Sequence, residues 1–164
     1  MKTLAIVRHA KAEQAEYEEN DFDRKLSKTG KENALEIASR IVKSGIKPDL
    51  FISSPAKRAF KTASIFSQQF SISTDQILKK DFLYGTFGVK EISRLLKEEA
   101  QELNVVFVFG HNPALSWLAA TLTDDFNRSL PTSGVIIIEF DTDSWDKIDR
   151  TNGRLVLFEC PEQK

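Results

Sequence analysis

The sequence contains one cysteine, Cys160, and one methionine among its 164 residues. A single cysteine excludes an intramolecular disulfide and a zinc site built from several thiolates. No apolar stretch is long enough to cross a membrane as a helix, and Arg8 interrupts the first apolar run too early for a secretory signal. From these absences and the lone thiol we expect a cytoplasmic location.

Net charge is also nearly absent, because 23 basic and 24 acidic side chains leave a formal charge of -1. This balance argues against a broad basic surface, so we expect neither nucleic acid nor a membrane as a partner. A hydrophobic content of 41% with a charged content of 29% is typical of a globular domain. Since the chain has no repeat, low-complexity segment or linker, we predict a single domain over residues 1–164.

Segments typical of strands and of helices alternate along most of the chain. The last two strands follow one another through a polar, turn-prone connection, so we expect them to pair antiparallel at one side of the sheet. The sequence therefore predicts an α/β fold: a three-layer sandwich with a mostly parallel central sheet, helices on both faces and an antiparallel C-terminal edge. The predicted strands are 4–7, 49–53, 77–78, 105–109, 135–140 and 154–158.

Local signals predict where the helices begin and what they bury. Thr29 and Glu32 fit a capping box at the start of the first helix. Ser54 and Asn112 each precede a proline, as an N-cap residue precedes a first-turn proline. Trp117 is expected in the core. The inward stripe of the first helix is predicted to comprise Ala34, Leu35, Ala38, Ile41 and Val42.

The sequence has two histidines, and each directly follows a predicted strand. Arg8 and His9 follow the first strand, and His111 follows the strand at 105–109, whereas Arg58 lies one turn into the helix after the second strand. Because ligands of open α/β sheets bind beyond the carboxyl ends of the strands, we expect these side chains to converge at one mouth. Two guanidinium groups, two imidazoles and helix N-termini predict an anion site, for which phosphate is the natural ligand.

The histidines have two other interpretations. A single histidine is more often a structural side chain, but two histidines in equivalent positions favour a functional site. A metal site fits less well, because two histidines without a companion carboxylate supply too few ligands and the adjacent arginines would repel a cation. We therefore expect neither a metal nor another cofactor.

The residues around these positions form motifs in a fixed order along the chain. Together they resemble the small SixA-like phosphohistidine phosphatases of the histidine phosphatase superfamily, and the resemblance covers nearly the whole chain. It implies a phosphoglycerate mutase-like fold and a metal-independent phosphatase. The motifs are Arg8-His9-Ala10-Lys11, the segment 21–26, Pro48-Asp49-Leu50, the segment 53–59, Gly110-His111-Asn112-Pro113 and Leu130-Pro131-Thr132.

The resemblance implies roles for four of these side chains. His9 would be the nucleophile that accepts a phosphoryl group, and a neutral imidazole can attack phosphorus without a separate base. Arg8 and Arg58 would hold the nonbridging oxygens and spread the charge of the transition state. His111 would donate a hydrogen bond to the phosphoryl group.

The resemblance also implies substrate contacts from Arg24 and Asn112. In the family an arginine at the place of Arg24 is usually followed by proline, whereas Lys25 follows it here. A loop arginine paired with Asp21 or Asp23 is an equally good interpretation of this residue.

A general acid expected for phosphate esters is missing from its place. Many relatives that act on esters carry a glutamate shortly after a leucine in the third strand-to-helix loop, where this chain has Leu83-Tyr84-Gly85 and Asp81 nearby. An imidazole leaves more readily than an alkoxide, so the absence favours phosphohistidine on a protein, such as a phosphocarrier or phosphotransfer domain. The alternatives are a phosphatase of small phosphate monoesters and a module that binds phosphate without turnover.

Overall fold

A computed structural model describes residues 1–162, in which six strands form one sheet of order β3-β2-β4-β1-β5-β6. The strands β1 to β4 are mutually parallel, and β5 runs antiparallel to both β1 and β6. The predicted mostly parallel sheet with an antiparallel C-terminal edge is therefore confirmed. The strands are β1 (Lys2–Arg8), β2 (Leu50–Ser53), β3 (Leu78–Lys79), β4 (Val105–Gly110), β5 (Val135–Phe140) and β6 (Gly153–Glu159).

Helices cover both faces of this sheet, as the three-layer prediction requires. Alternate residues of a strand point to opposite faces, and both sets of side chains are buried in β1 and β4. The helices are α1 (Lys28–Lys43), α2 (Lys57–Gln69), α3 (Val89–Ala100) and α4 (Ala114–Leu122). Ile6 and Val108 pack with α3 and α4, whereas Val7 and Phe107 pack with α1 and α2. Within residues 1–162, none of the helices is long and apolar enough to span a bilayer.

The helices begin at other residues than the local signals predict. Ser27 is the N-cap of α1, because its Oγ accepts a hydrogen bond from the Gly30 amide at 2.9 Å, so the capping box at Thr29 is wrong. Helix α2 begins at Lys57, after Ala56 as its N-cap, so the prediction for Ser54 and its proline is wrong as well. Pro113 rather than Asn112 is the N-cap of α4. Thr29 lies inside the first turn of α1, and Ser54 accepts from the Ala56 amide in the turn before α2. Asn112 accepts from the Ser116 amide of α4, although it precedes the N-cap residue.

Three predictions of burial are wrong. Leu35 and Val42 of α1 are 47% and 38% exposed, because the buried stripe follows Gly30, Ala34, Ile37, Ala38 and Ile41 instead. Trp117 is 57% exposed on the outer face of α4, while Trp145 is buried against α3. The tryptophan of the core therefore comes from the connection between β5 and β6.

The segment between β1 and α1 is a closed arm, defined here as residues 11–27. Its two ends are joined by a bridge between Ala12 and Leu26 and by hydrogen bonds from the Ser27 amide and hydroxyl to the Lys11 carbonyl. Gly30 packs against that carbonyl so closely that a Cβ would lie 2.0 Å from the Lys11 oxygen. The arm is thereby fixed at the carboxyl end of β1.

Candidate active site

The two histidines lie side by side at the carboxyl edge of the sheet. Arg8 is paired with Gly110 in the register of β1 and β4, so His9 and His111 follow equivalent positions of neighbouring parallel strands. Their ring centroids are 5.2 Å apart. Strand β2 is the other neighbour of β4, and the Ser54 amide that follows it bonds to the Phe109 carbonyl at 2.9 Å. The structure thus brings together the strand ends that the sequence placed at one mouth.

His9 is held in one tautomer by its own neighbour. Its Nδ1 lies 2.8 Å from the Ala10 carbonyl oxygen, which can only accept, so Nδ1 carries the proton and Nε2 carries the lone pair. Burial is the main cause that lowers the pKa of His9 to about 4, and Arg58 and Arg8 lower it further against the opposing effect of the Ala10 bond. The ring is therefore neutral at pH 7, and its Nε2 carries a free lone pair.

The guanidinium groups of Arg8 and Arg58 flank this ring. Arg8 donates from Nη1 to the Leu130 carbonyl at 3.0 Å, and burial together with the nearby Arg58 lowers the pKa of Arg8. Arg58 is 6% exposed and donates from Nη1 to the carbonyl of Asp21 at 2.6 Å and from Nη2 to its carboxylate at 2.8 Å. Two cations thus face a buried neutral imidazole.

His111 is also buried and neutral. Its Nε2 lies 2.8 Å from the Ser54 hydroxyl, and that hydroxyl already accepts a hydrogen bond from the Ala56 amide at 3.2 Å. The Ser54 hydroxyl has one proton to donate, and in the tautomer in which it donates to His111 Nε2 the ring proton lies on Nδ1. Burial, with His9 and Arg58 adding to it, lowers the pKa of His111 to about 3.

Unpartnered polar atoms concentrate at this site. Within residues 1–162, the buried side-chain atoms without a hydrogen-bond partner are Arg8 Nε, Arg58 Nε, His111 Nδ1 and the Ser133 hydroxyl. A buried donor left unsatisfied costs about 1–3 kcal/mol. An anion with several acceptor oxygens would satisfy the three nitrogens together, and a phosphoryl group has that chemistry.

Asp21 is a site residue that the sequence interpretation missed. Its carboxylate accepts hydrogen bonds from Arg58 at 2.8 Å, from Arg24 at 3.0 Å and from the Tyr84 hydroxyl at 2.7 Å. The bond from Tyr84, with those from the two arginines, holds the pKa of the Asp21 carboxyl well below its usual range. The sequence signal was the acidic residue three positions before Arg24.

Tyr84 is the second residue that was missed. Its ring packs edge-on against His111 with centroids 5.4 Å apart, and its hydrogen bond to Asp21 raises the pKa of the phenol. Tyr84 ends a 3₁₀ turn that starts at the exposed Asp81, and Gly85 follows it. At the segment 83–85, the predicted place of a general acid, the side chain that reaches the mouth is therefore a tyrosine.

Arg24 and Asn112 lie at the rim of the mouth, each bonded within the protein. Arg24 donates to the Asp21 carboxylate and to the Glu13 carbonyl, which matches the loop interpretation. The Asn112 amide donates to the Leu130 carbonyl at 2.8 Å and accepts from the Ser116 amide and hydroxyl. Asn112 thereby fixes the carbonyl to which Arg8 also donates. In the part of the chain that is described, no group of three or more His, Cys, Asp or Glu side chains is placed to hold a metal ion.

Comparisons with known proteins agree with the motifs. The model of the histidine phosphatase superfamily (branch 1) matches residues 4–83. A solved structure from Agrobacterium tumefaciens, assigned as the phosphohistidine phosphatase SixA, is 29% identical with a TM-score of 0.79, covering 98% of this chain and 99% of that one. A protein histidine phosphatase SixA complexed with tungstate has a TM-score of 0.81 at 19% identity over 96% of both chains.

Two further proteins are similar to this chain. A mycobacterial glucosyl-3-phosphoglycerate phosphatase has the same fold, with a TM-score of 0.69 at 16% identity, covering 96% of this chain and 98% of that one. An uncharacterized chloroplastic protein of Arabidopsis thaliana is 23% identical over 161 aligned residues, which cover 93% of this chain and 72% of that protein. The phosphoglycerate mutase-like fold expected from the motifs is confirmed.

Proposed function

Since this chain belongs to the histidine phosphatase superfamily, we propose that it hydrolyses phosphohistidine on a protein partner through a covalent phospho-His9 intermediate. The observation that carries the choice of substrate is that the carboxylate bonded to Arg58, that of Asp21, is ionised, while the place predicted for a general acid holds Tyr84 and Gly85 rather than a glutamate. The similarity to the phosphohistidine phosphatase assigned in Agrobacterium tumefaciens supports the same substrate class.

In the first step His9 Nε2 attacks the phosphorus atom of the substrate. The new P–Nε2 bond forms while the bond from phosphorus to the substrate's imidazole nitrogen breaks, and the electron pair leaves with that nitrogen. Arg8 and Arg58 stabilise the charge on the three equatorial oxygens. His111 donates from Nδ1 to one of these oxygens. The hydrogen bond from the Ser54 hydroxyl to Nε2 favours the tautomer in which Nδ1 carries the proton.

In the second step water attacks the phosphorus of phospho-His9. The P–Nε2 bond breaks, inorganic phosphate is released, and the water's protons are shared between the phosphate and the solvent. The lone pair returns to Nε2, while Nδ1 keeps its proton, which is hydrogen-bonded to the Ala10 carbonyl. No tautomeric change is therefore needed between turnovers.

The leaving group decides between the substrate classes. An alkoxide from a phosphate ester needs a proton as it departs. The ionised Asp21 has none to give, and the Tyr84 hydroxyl already donates its proton to Asp21. The imidazole of phosphohistidine can carry its proton on the other ring nitrogen, and a nearby carboxylate favours that cationic form. It then leaves as a neutral ring without a proton from the enzyme.

A phosphocarrier protein phosphorylated on histidine provides the test. The wild-type chain is expected to remove the phosphate and to form an acid-labile phosphoenzyme, whereas His9→Ala should do neither. His9→Asn, which keeps a polar side chain of similar size, controls for packing, and its unfolding midpoint shows whether the fold is retained. Equal activity of wild type and a folded His9 variant would overturn the mechanism.

A phosphatase of small phosphate monoesters is the second candidate, because a mycobacterial sugar-phosphate phosphatase shares the fold. A panel of sugar phosphates, nucleotides and free phosphohistidine distinguishes the two. Efficient turnover of the esters with none of phosphohistidine would favour this candidate. Binding of phosphate without any phosphoenzyme would instead favour a non-catalytic module.

We infer that residues 1–164 act as one catalytic domain, since one sheet includes strands from Lys2 to Glu159. We infer that the domain works in the cytoplasm, where phosphorylated carrier proteins occur. Activity of the isolated chain and cell fractionation test these two points.

A further inference from the structure

A groove of about 420 Å³ beside the mouth concentrates positive charge. It lies between the start of α1, the first two turns of α2 and strand β3. Leu26, Pro55 and Phe60 provide apolar surface inside it. Its lining includes five exposed lysines, which we call the lysine groove: Lys25, Lys31, Lys57, Lys61 and Lys79.

This concentration of lysines is unusual for a chain whose formal net charge is -1. Lys57 and Lys61 are one helical turn apart on the exposed face of α2, and like charges at that spacing destabilise a helix. The charge is only partly balanced, by a 3.8 Å ion pair between Lys57 and Asp23 and by packing of Lys79 on the Phe60 ring at 4.2 Å. An arrangement that costs stability in the free protein favours an anionic partner.

The lysine groove and the catalytic mouth are built from the same chain segments, although no side chain of the mouth lines the groove. Pro55 of the groove follows Ser54, which is bonded to His111. Lys57 of the groove precedes Arg58 at the start of α2. A segment docked in the groove would therefore lie next to the residues that carry Ser54 and Arg58.

We propose that the lysine groove docks an acidic segment of the protein that carries the phosphohistidine. This inference rests on the proposed function and adds the chemistry of the partner: glutamate or aspartate side chains pair with the lysine rim, and an apolar side chain of the segment packs on Pro55 and Phe60. Nucleic acid is disfavoured, because Lys79 covers a face of the Phe60 ring on which a base would stack.

Binding is tested separately from catalysis. The probes are a fluorescein-labelled peptide with a central unphosphorylated histidine flanked by glutamates, the same peptide with glutamines, and an oligouridylate, all measured by anisotropy at low salt. Lys57→Glu/Lys61→Glu should weaken binding of the glutamate peptide about tenfold. The matched control Lys43→Glu/Lys47→Glu, at the end of α1 and in its connection to β2, should leave binding unchanged.

Catalysis provides the second readout. With the phosphohistidine form of the glutamate peptide, kcat/KM of Lys57→Glu/Lys61→Glu should fall about tenfold, while kcat/KM for free phosphohistidine stays at the wild-type value. If the wild-type chain hydrolyses no phosphohistidine, the proposed function is refuted, but the binding measurement still tests the docking proposal. Equal binding of the glutamate and glutamine peptides, or tighter oligouridylate binding that the same variant abolishes, would overturn the docking proposal.

Discussion

The Nδ1 atom of His9 lies 2.8 Å from the carbonyl oxygen of Ala10, the next residue in the chain. This bond assigns the nucleophilic lone pair to Nε2. Because both partners come from one short segment at the end of β1, the orientation of the ring depends on few other contacts.

The two imidazoles should remain neutral far below their ordinary pKa. We expect His9 to titrate near pH 4 and His111 near pH 3 in the free protein, mainly because burial disfavours the charged ring. The imidazole signals in a ¹H–¹⁵N NMR titration test this directly, and with two histidines the spectrum is simple to assign. Titration of either ring near pH 6.5 in the folded protein would contradict the expectation.

The same pKa values predict that the free energy of unfolding decreases in acid. Between about pH 6.5 and pH 4 the unfolded chain binds protons on both histidines that the folded chain does not bind, so stability is complete above pH 6.5 and decreases as the pH falls through this window. The loss should reach about 3 kcal/mol per histidine. Urea unfolding at several pH values measures it, and His9→Gln should flatten the slope if the sign is right.

Asp21→Asn should change substrate preference more than overall activity. Removing the charge takes away the carboxylate that stabilises a cationic leaving imidazole, so the kcat/KM ratio of phosphohistidine to p-nitrophenyl phosphate should fall about tenfold. Inorganic phosphate should inhibit this variant more strongly, because the carboxylate no longer competes for Arg58. Asp23→Asn is the matched control on the same 3₁₀ turn, and an equal effect there would argue against the assignment.

Ser54→Ala should lower kcat by about tenfold with a smaller effect on KM, because His111 loses the hydroxyl that sets its tautomer. The neighbouring Ser53 donates its hydroxyl to the Ser54 carbonyl and has no bond to His111, so Ser53→Ala is the matched control. Steady-state kinetics on phosphohistidine distinguish the two variants. A change confined to stability in Ser54→Ala would show that the hydroxyl is only structural.

Gly30→Ala should destabilise the fold strongly, since the new Cβ would lie 2.0 Å from the Lys11 carbonyl oxygen. Overpacking of this kind costs about 1–3 kcal/mol or more. Gly88→Ala, where the nearest atom to a Cβ is the Glu91 carboxylate at 3.6 Å, should be nearly neutral by comparison. Chemical denaturation of both variants provides the test, and similar unfolding midpoints would contradict the tight packing of the arm.

The convergence of the histidines and arginines could be predicted because it follows from strand order. The runs that end at Arg8 and at Gly110 are apolar enough to be buried, and buried parallel strands expose their carboxyl ends at one edge. Arg58 follows from the same reasoning, because α2 starts beyond the next strand. The family motifs then added expected chemical roles to the predicted positions.

The position of Asp21 could not be predicted in the same way. It depends on how the arm at 11–27 closes on Lys11, and a polar loop has no periodicity from which its path can be derived. The predicted burial of Trp117 was wrong for a related reason. Helix α4 is short and rich in apolar residues, so its two faces differ little in hydrophobicity. Tertiary contacts rather than local pattern decided these positions.

The closed arm also affects the entropy of binding. Its two ends are tied together at Lys11 and Ser27 before any ligand arrives, and Arg58 holds Asp21 through both its carbonyl and its carboxylate. The rim of the mouth is therefore already ordered in the folded protein. A partner that binds there loses less of the interaction energy to ordering the rim. Preorganisation of this kind leaves more of the contact energy available for binding the group that enters the mouth.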